Sequence, residues 1–162
     1  MPEHWVINAS PIILLSKANV ISFLPRLCDT VVIPAGVVDE IAIGERGDAA
    51  RTWLAAEGTR FVRPAPPAAE ELSGADLGSG ERQVLSWAFL NRGFKAVLDD
   101  RRGRTWAKRL NVPLIGSLGV IVLMKKRGLI SAAAPVLEKV RSAGAYISQA
   151  AIREAIEQAG EA

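Results

Sequence analysis

The stretch VLDDRRGRTWAKRL, residues 97–110, contains the local pattern from which the fold of this chain is predicted. Its first residues complete the β-prone run Ala96–Leu98, and from residue 101 to residue 110 the apolar residues recur at helical spacing. Asp99 and Asp100 stand between the two segments. A strand followed at once by a helix is the unit of α/β proteins with parallel sheets.

The same alternation runs through the rest of the chain. Ser10 and Pro11 are typical of a helix start, Gly128 of a helix end, and Ser148 of an N-cap. Strands are predicted at residues 5–7, 31–33, 60–62, 96–98 and 114–115, and helices at residues 12–24, 35–43, 48–57, 81–91, 101–110, 117–126, 132–143 and 149–159. We expect an α/β fold, a three-layer α/β/α sandwich with a mostly parallel central sheet, in one domain over residues 1–162.

Composition restricts the classes of function. Hydrophobic residues make up 49% of the chain and charged residues 23%, which is typical of a globular protein with a substantial core. The sequence shows neither a membrane-spanning apolar run nor a signal peptide, so a cytoplasmic location without a membrane partner is expected. One cysteine, Cys28, and one histidine, His4, give little support to a disulfide, a cysteine zinc cluster or Ser-His-Asp catalysis.

Positive charge is concentrated in one part of the chain. The net charge is +3, and residues 92–127 hold ten of the lysines and arginines but only two acids, Asp99 and Asp100. The pattern fits either an ordinary solvated helix face or a surface that binds phosphate groups. On the helix predicted over residues 101–110, the cations that flank the apolar stripe are Arg101, Arg104 and Lys108 on one side and Arg102 and Arg109 on the other.

Five polar residues are expected near the carboxyl ends of the predicted strands. Asn8 follows the first strand, and Asp99 and Asp100 follow the fourth. Glu40 lies in the helix after the second strand, and Glu81 opens the helix after a glycine-rich loop. Sites in parallel α/β sheets form at this edge, so these side chains are candidates for one common site.

The carboxylates at this edge have two possible explanations. Each has a structural one: Glu81 would favour the helix dipole, an aspartate would cap the helix at residue 101, and Glu40 would be solvated. Alternatively, three or four carboxylates in one place would repel one another unless a divalent cation neutralised them. Oxygen ligands alone suit Mg²⁺ or Mn²⁺.

Six segments together resemble a known family. In chain order they are VINASPIILLSKANVISFLPRL, VVIPAGVVDEI, LGSGERQVLSWA, VLDDRRGRTWAKRL, IGSLGVIVLMKKRGLI and GAYISQAAIREAIEQAGE. They resemble the PIN-domain family, in particular its branch of predicted nucleic-acid-binding proteins, which is similar to the VapC toxin ribonucleases. The likeness covers nearly the whole chain. It implies an α/β/α sandwich with a Mg²⁺- or Mn²⁺-dependent ribonuclease site built from carboxylates.

The resemblance also implies roles for individual residues. Asn8 stands where the family usually has its first aspartate, so this chain has an uncharged amide there. Glu40 and Glu81 match the second and third acids of the family, and Asp100 matches the acid after the fourth strand. Asp99 is an additional or supporting candidate. All five are predicted metal-site residues, and the four acids are the predicted catalytic residues.

The function expected from the resemblance is that of an endoribonuclease, the toxin of a toxin–antitoxin pair. RNA, a cognate antitoxin and a second copy of the chain are the partners it implies. The residues predicted to bind RNA are Arg101, Arg104, Lys108 and Ser117, although Ser117 is equally explained as a helix N-cap. The main alternative is a catalytically silent PIN-like module, which Asn8 favours. A nucleotide-binding α/β protein lacks support, because no G-x-x-x-x-G-K-[ST] motif occurs.

Overall fold

The computed structural model describes residues 2–45, 47–143 and 147–161. These residues form a five-stranded sheet in which every pair of neighbours is parallel, in the order β3-β2-β1-β4-β5. The strands are β1 (His4–Ile7), β2 (Thr30–Pro34), β3 (Val62–Arg63), β4 (Phe94–Val97) and β5 (Leu114–Ile115). The helices are α1 (Ala9–Lys17), α2 (Ala35–Ile43), α3 (Asp48–Ala56), α4 (Ser79–Leu90), α5 (Arg101–Arg109), α6 (Ser117–Lys126), α7 (Ala134–Ser142) and α8 (Gln149–Gln158).

The strand order creates a topological switch point in the middle of the sheet. The chain runs from β1 outward through β2 to β3, then crosses back and runs outward again from β4 to β5. β1 and β4 are therefore neighbours from which the chain proceeds in opposite directions, with Ile7 paired to Val97. Crevices form beyond the carboxyl ends of strands at such a point. The residues that directly follow β1 and β4 therefore border such a crevice.

Two helical layers cover the sheet, as the predicted sandwich requires. α4 contacts α5 and three strands of the sheet, while α1 contacts α3, α6 and α7 in the opposite layer. α8 packs on α6 and α7. Because parallel crossovers are right-handed, the outward run through β2 and the return run to β4 place their helices on opposite faces. The α/β fold predicted from the sequence is confirmed.

The core explains why the central strands contain almost no polar residues. Trp5, Val6 and Ile7 of β1 are fully buried, because β1 has strands on both sides and helices on both faces. Such a strand needs a continuous apolar run rather than an alternating one. Among the described residues, no helix is both long and apolar enough to cross a membrane.

Most element boundaries agree with those predicted from the sequence, and α1 is the main exception. α1 begins at Ala9 rather than after Ser10, and its N-cap is Asn8, whose side chain makes no capping hydrogen bond. It ends at Lys17 rather than near residue 24, because Asn19 adopts a left-handed conformation with φ of 59° and a 3₁₀ helix follows over Ile21–Arg26. Residues 144–146, part of the last segment of the family resemblance, lie outside the described residues.

Candidate functional site

Asn8 occupies the switch point between β1 and β4. Its backbone N–H donates to the carbonyl of Val97 at 3.1 Å, which continues the β1–β4 pairing by one residue. The side chain is almost completely buried, and its Oδ1 atom has no hydrogen-bond partner among the described residues. A buried amide oxygen without a partner costs free energy unless something outside the chain binds to it. Asn8 therefore marks a position at which a ligand or water molecule is expected.

Glu40 reaches the same pocket from α2. Its Oε1 atom accepts a hydrogen bond from the backbone N–H of Gly80 at 2.8 Å, at the start of α4. A β-carbon on Gly80 would stand 2.7 Å from that oxygen, so a larger residue at this position would displace the Glu40 carboxylate. The Oε1 atoms of Glu40 and Glu81 lie 3.6 and 3.9 Å from the position that a β-carbon on Gly78 would take. The glycine-rich loop before α4 thus brings two carboxylates together.

Glu81 is the most perturbed acid of the site. Its Oε2 atom is buried and has no hydrogen-bond partner among the described residues. Burial, as the largest cause, and the negative charges of Asp100 and Glu40 together raise the pKa of Glu81 from 4.5 to about 7. Without a cation, Glu81 therefore carries a proton for part of the time near neutral pH. A carboxylate in this condition is a candidate for metal binding or proton transfer.

Asp100 and Asp99 have different local roles. Asp100 is the N-cap of α5, and its Oδ2 atom accepts from the backbone N–H groups of Arg102 at 3.0 Å and Gly103 at 3.2 Å. Asp99 instead accepts from the backbone N–H of Ser117 at 2.8 Å through Oδ1, and from the Ser117 hydroxyl at 2.5 Å through Oδ2. One aspartate caps the helix, as the structural explanation proposed, and the other ties β4 to the start of α6.

Ser117 is not the N-cap of α6, because that position belongs to Gly116. The Ser117 side chain is fully buried and its hydroxyl donates to Asp99. Ser117 therefore acts on the site by holding Asp99, and its contact with RNA stays a prediction. The alternative interpretation of Ser117 as the N-cap of α6 is wrong.

The predicted RNA-binding cations differ in their positions. Arg101 and Arg104, in the first turn of α5, line the pocket. A β-carbon on Gly116 would stand 2.7 Å from Nη1 of Arg104 and 3.1 Å from Oδ1 of Asp99. Both side chains therefore lie beside this glycine. Lys108 is exposed on the last turn of α5 and does not line the pocket that the described residues define. The structure therefore groups two of the three cations with the acids.

The pocket at the switch point has a volume of about 1150 Å³. All four candidate acids and Asn8 line it, together with residues that the sequence analysis did not single out. Those residues come from the first two turns of α1, from β5 and from the start of α6. Ile147 and the N-cap Ser148 precede α8 and also line the pocket, as do Ala151, Glu154, Ala155 and Gln158 of the helix itself. Positions 148, 151, 154, 155 and 158 fall on one face of α8, but their place in the sequence does not say which part of the fold that face contacts.

The donor atoms fit a divalent cation only with help from water. The buried, unpartnered oxygens of Asn8 and Glu81 and the oxygens of Glu40 and Asp100 are hard ligands of the kind that Mg²⁺ and Mn²⁺ prefer. However, within residues 2–45, 47–143 and 147–161, no three His, Cys, Asp or Glu side chains are arranged to hold one ion directly. The amide of Asn8 and bound water would have to complete the coordination, as Mg²⁺, which retains several waters, allows.

These features define a class: a parallel α/β sandwich with an acidic pocket at its switch point and arginines beside it. A family model described as a PIN domain matches residues 4–161. The chain belongs to the PIN-domain family, whose fold is of the nuclease type and whose members generally use divalent metal ions. Comparison with curated proteins and with solved structures gives no significant match.

Proposed function

We propose that this protein is an endoribonuclease of PIN type that hydrolyses RNA phosphodiesters with Mg²⁺ or Mn²⁺. The observation that carries the proposal is the convergence of four carboxylates from three distant segments on one pocket, in which the Oε2 atom of Glu81 is buried without a hydrogen-bond partner among the described residues. The raised pKa of Glu81, caused first by burial and then by the negative charges of Asp100 and Glu40, supports the proposal, because a cation in the pocket would relieve that repulsion.

The acids of the proposed site have different roles. Glu40, Glu81 and Asp100 hold the ion together with Asn8, and Asp99 positions the start of α6 through Ser117. When bound, the ion supplies Lewis-acid polarisation of the phosphate and lowers the pKa of a bound water.

Arg101 and Arg104 orient the substrate in this proposal. Both lie in the first turn of α5 and line the same pocket as the acids. A guanidinium group binds a phosphate through two parallel hydrogen bonds and retains its charge at every physiological pH. The basic helix that follows the acids in VLDDRRGRTWAKRL would therefore bring the polyanionic substrate to the carboxylates. Lys108, outside the pocket, would bind a more distant phosphate.

The decisive experiment measures Mn²⁺ binding and RNA cleavage on the same variants. Calorimetry should show saturable Mn²⁺ binding to the wild type, weaker binding to Glu81→Gln, and binding about tenfold tighter to Asn8→Asp, because the new carboxylate adds a charge where the family usually has one. Asn19→Asp, which makes the same substitution at an exposed position outside the pocket, should bind as the wild type does.

Cleavage is tested with a pool of single-stranded RNA of random sequence, because a narrow substrate preference would escape a single defined substrate. Sequencing of the new ends should show cuts that require Mn²⁺ and disappear in Glu81→Gln. Metal binding without any cut, in both the wild type and Asn8→Asp, would refute the enzymatic proposal.

The second candidate function is a catalytically silent PIN-like module that binds RNA or a regulatory partner. Two observations favour it: Asn8 brings no charge, and no three of the described His, Cys, Asp or Glu side chains are arranged to hold an ion directly. This candidate predicts RNA binding by the wild type without Mn²⁺ binding. It also predicts that Asn8→Asp gains metal affinity.

A cellular role as the toxin of a toxin–antitoxin pair, acting in the cytoplasm as a homodimer with a cognate antitoxin, extends the same proposal. Its support is the resemblance of the six segments to the VapC-like branch of the family. The test is growth arrest on expression of the wild type and normal growth on expression of Glu81→Gln at equal protein levels.

A further inference from the structure

The pocket extends well beyond the carboxylates. Its volume of about 1150 Å³ exceeds the range of roughly 300 to 1,000 Å³ found for small-molecule sites, and a hydrated cation needs far less. On α1 it is lined first by Ser10, beside Asn8, and then by Ile13 and Leu14, one turn further along the helix. The pocket therefore extends along α1 for about 6 Å, in the direction away from the switch point.

One face of α8 lines this extension. The pocket is lined by Ser148, the N-cap of α8, and by Ala151, Glu154, Ala155 and Gln158, whose positions all fall on one face of the helix. The distance from Ser148 to Gln158 along the helix axis is about 15 Å. Two of these side chains, Glu154 and Gln158, are polar, exposed and joined by a hydrogen bond of 3.3 Å from Nε2 of Gln158 to Oε1 of Glu154.

α8 is held firmly against the rest of the fold. Ile152, on its inner face, is almost completely buried. The carboxylate of Glu161, just after the helix, accepts from the backbone N–H groups of Ala133 at 2.6 Å and Ala134 at 3.1 Å, at the start of α7. Lys125 of α6 lies 3.7 Å from the same carboxylate. The α8 wall of the pocket is therefore preformed.

The chemistry of the extension matches that of a nucleobase. Ile13, Leu118 and Ile147 give it partly exposed apolar surface, onto which the flat face of an unstacked base can pack. Glu154 and Gln158 supply an acceptor beside a donor. These are the groups that read base edges: a carboxylate accepts from an exocyclic amino group, and an amide pairs with a neighbouring donor and acceptor.

We propose that this extension is a base-recognition subsite, in which Glu154 and Gln158 select a nucleotide with an exocyclic amino group at the position beside the scissile phosphate. The inference rests on the proposed function, because it places an RNA strand across the carboxylates. Adenine and cytosine each present an amino donor next to a ring-nitrogen acceptor, which complements Glu154 and Gln158. Uracil presents carbonyl oxygens on both sides of its one donor, and these are repelled by the Glu154 carboxylate.

The test is fluorescence anisotropy with labelled short oligoadenylate, oligocytidylate and oligouridylate, in EDTA so that nothing is cleaved. The wild type should bind oligoadenylate and oligocytidylate about tenfold more tightly than oligouridylate, the lower end of what one good base contact provides. Glu154→Gln should reduce the preference to less than about threefold, because an amide can also donate to the uracil oxygens. Glu157→Gln, the same change at an exposed α8 position outside the pocket, should retain it.

Three results would overturn the inference: equal binding of all three oligonucleotides by the wild type, a full preference in Glu154→Gln, or the same loss in Glu157→Gln. The same variants are also tested for Mn²⁺ binding by calorimetry and for cleavage of the random RNA pool. These two measurements distinguish a failure of the base-recognition subsite from a failure of the proposed nuclease function. Cleavage whose base profile is unchanged in Glu154→Gln refutes the subsite and leaves the nuclease. A base preference in binding without any cleavage retains the subsite and refutes the nuclease.

Discussion

Replacing Glu81 with glutamine should make the metal-free protein more stable at pH 8. Glutamine has nearly the shape of the protonated glutamate but no charge. In the folded protein, burial and the charges of Asp100 and Glu40 disfavour the ionised form and raise the pKa of Glu81 from 4.5 to about 7. Ionisation of Glu81 in the folded protein therefore costs free energy, and glutamine, which does not ionise, removes that cost.

The sign and size of the effect follow from linkage. The folded-state pKa of Glu81 lies above the unfolded value, so the contribution of this group to the free energy of unfolding is greatest below pH 4.5. That contribution decreases as the pH rises toward 7 and is constant well above that value. Each pKa unit corresponds to about 1.4 kcal/mol, so the full cost is about 3 kcal/mol. Glu81 is only partly buried, so screening by solvent reduces this cost by about 1 kcal/mol. The expected net gain for Glu81→Gln at pH 8 is about 2 kcal/mol.

The assay is urea unfolding followed by tryptophan fluorescence, in EDTA, at pH 8 and at pH 4.5. The two proteins should differ at pH 8 and agree within about 0.5 kcal/mol at pH 4.5, where the folded wild type is protonated at Glu81. Glu71→Gln, at an exposed glutamate outside the pocket, should leave the stability nearly unchanged at both values. A variant that is equally or less stable at pH 8 would show that Glu81 is not in the desolvated acidic cluster described above.

Three further substitutions test other parts of the site. Asp99→Asn replaces the acceptor of the Ser117 hydroxyl and should cost about 1–3 kcal/mol by thermal unfolding; an unchanged melting temperature would contradict the tie between β4 and α6. Gly80→Ala places a β-carbon 2.7 Å from Oε1 of Glu40 and should weaken Mn²⁺ binding about tenfold by calorimetry, with the circular dichroism spectrum preserved. Arg104→Gln should lower RNA affinity and reduce the slope of log affinity against log salt concentration by about 1; an unchanged slope would remove this arginine from the phosphate contacts.

The parallel sheet and one part of the site could be predicted from the sequence, whereas the strand order could not. Strands and helices were predictable because apolar periodicity and breaker residues are local signals, and the strand–helix alternation leaves a parallel sheet as the arrangement. Asn8, Asp99 and Asp100 follow strands directly, so their place at the carboxyl edge came from chain order alone. The end of α1 was missed because a left-handed Asn19 stops the helix where the apolar pattern continues.

The contacts of each polar side chain depend on how the helices and strands pack together. Glu40 and Glu81 face one another because Gly78 and Gly80 leave room for both, and Asp99 holds Ser117 because β4 and α6 meet at Gly116. The raised pKa of Glu81 is likewise a property of the assembled site. The role of α8 in the pocket wall could not be predicted from the sequence for the same physical reason. The spacing of residues along a helix determines which of them share a face, but the packing of α8 against α6 and α7 determines what that face contacts.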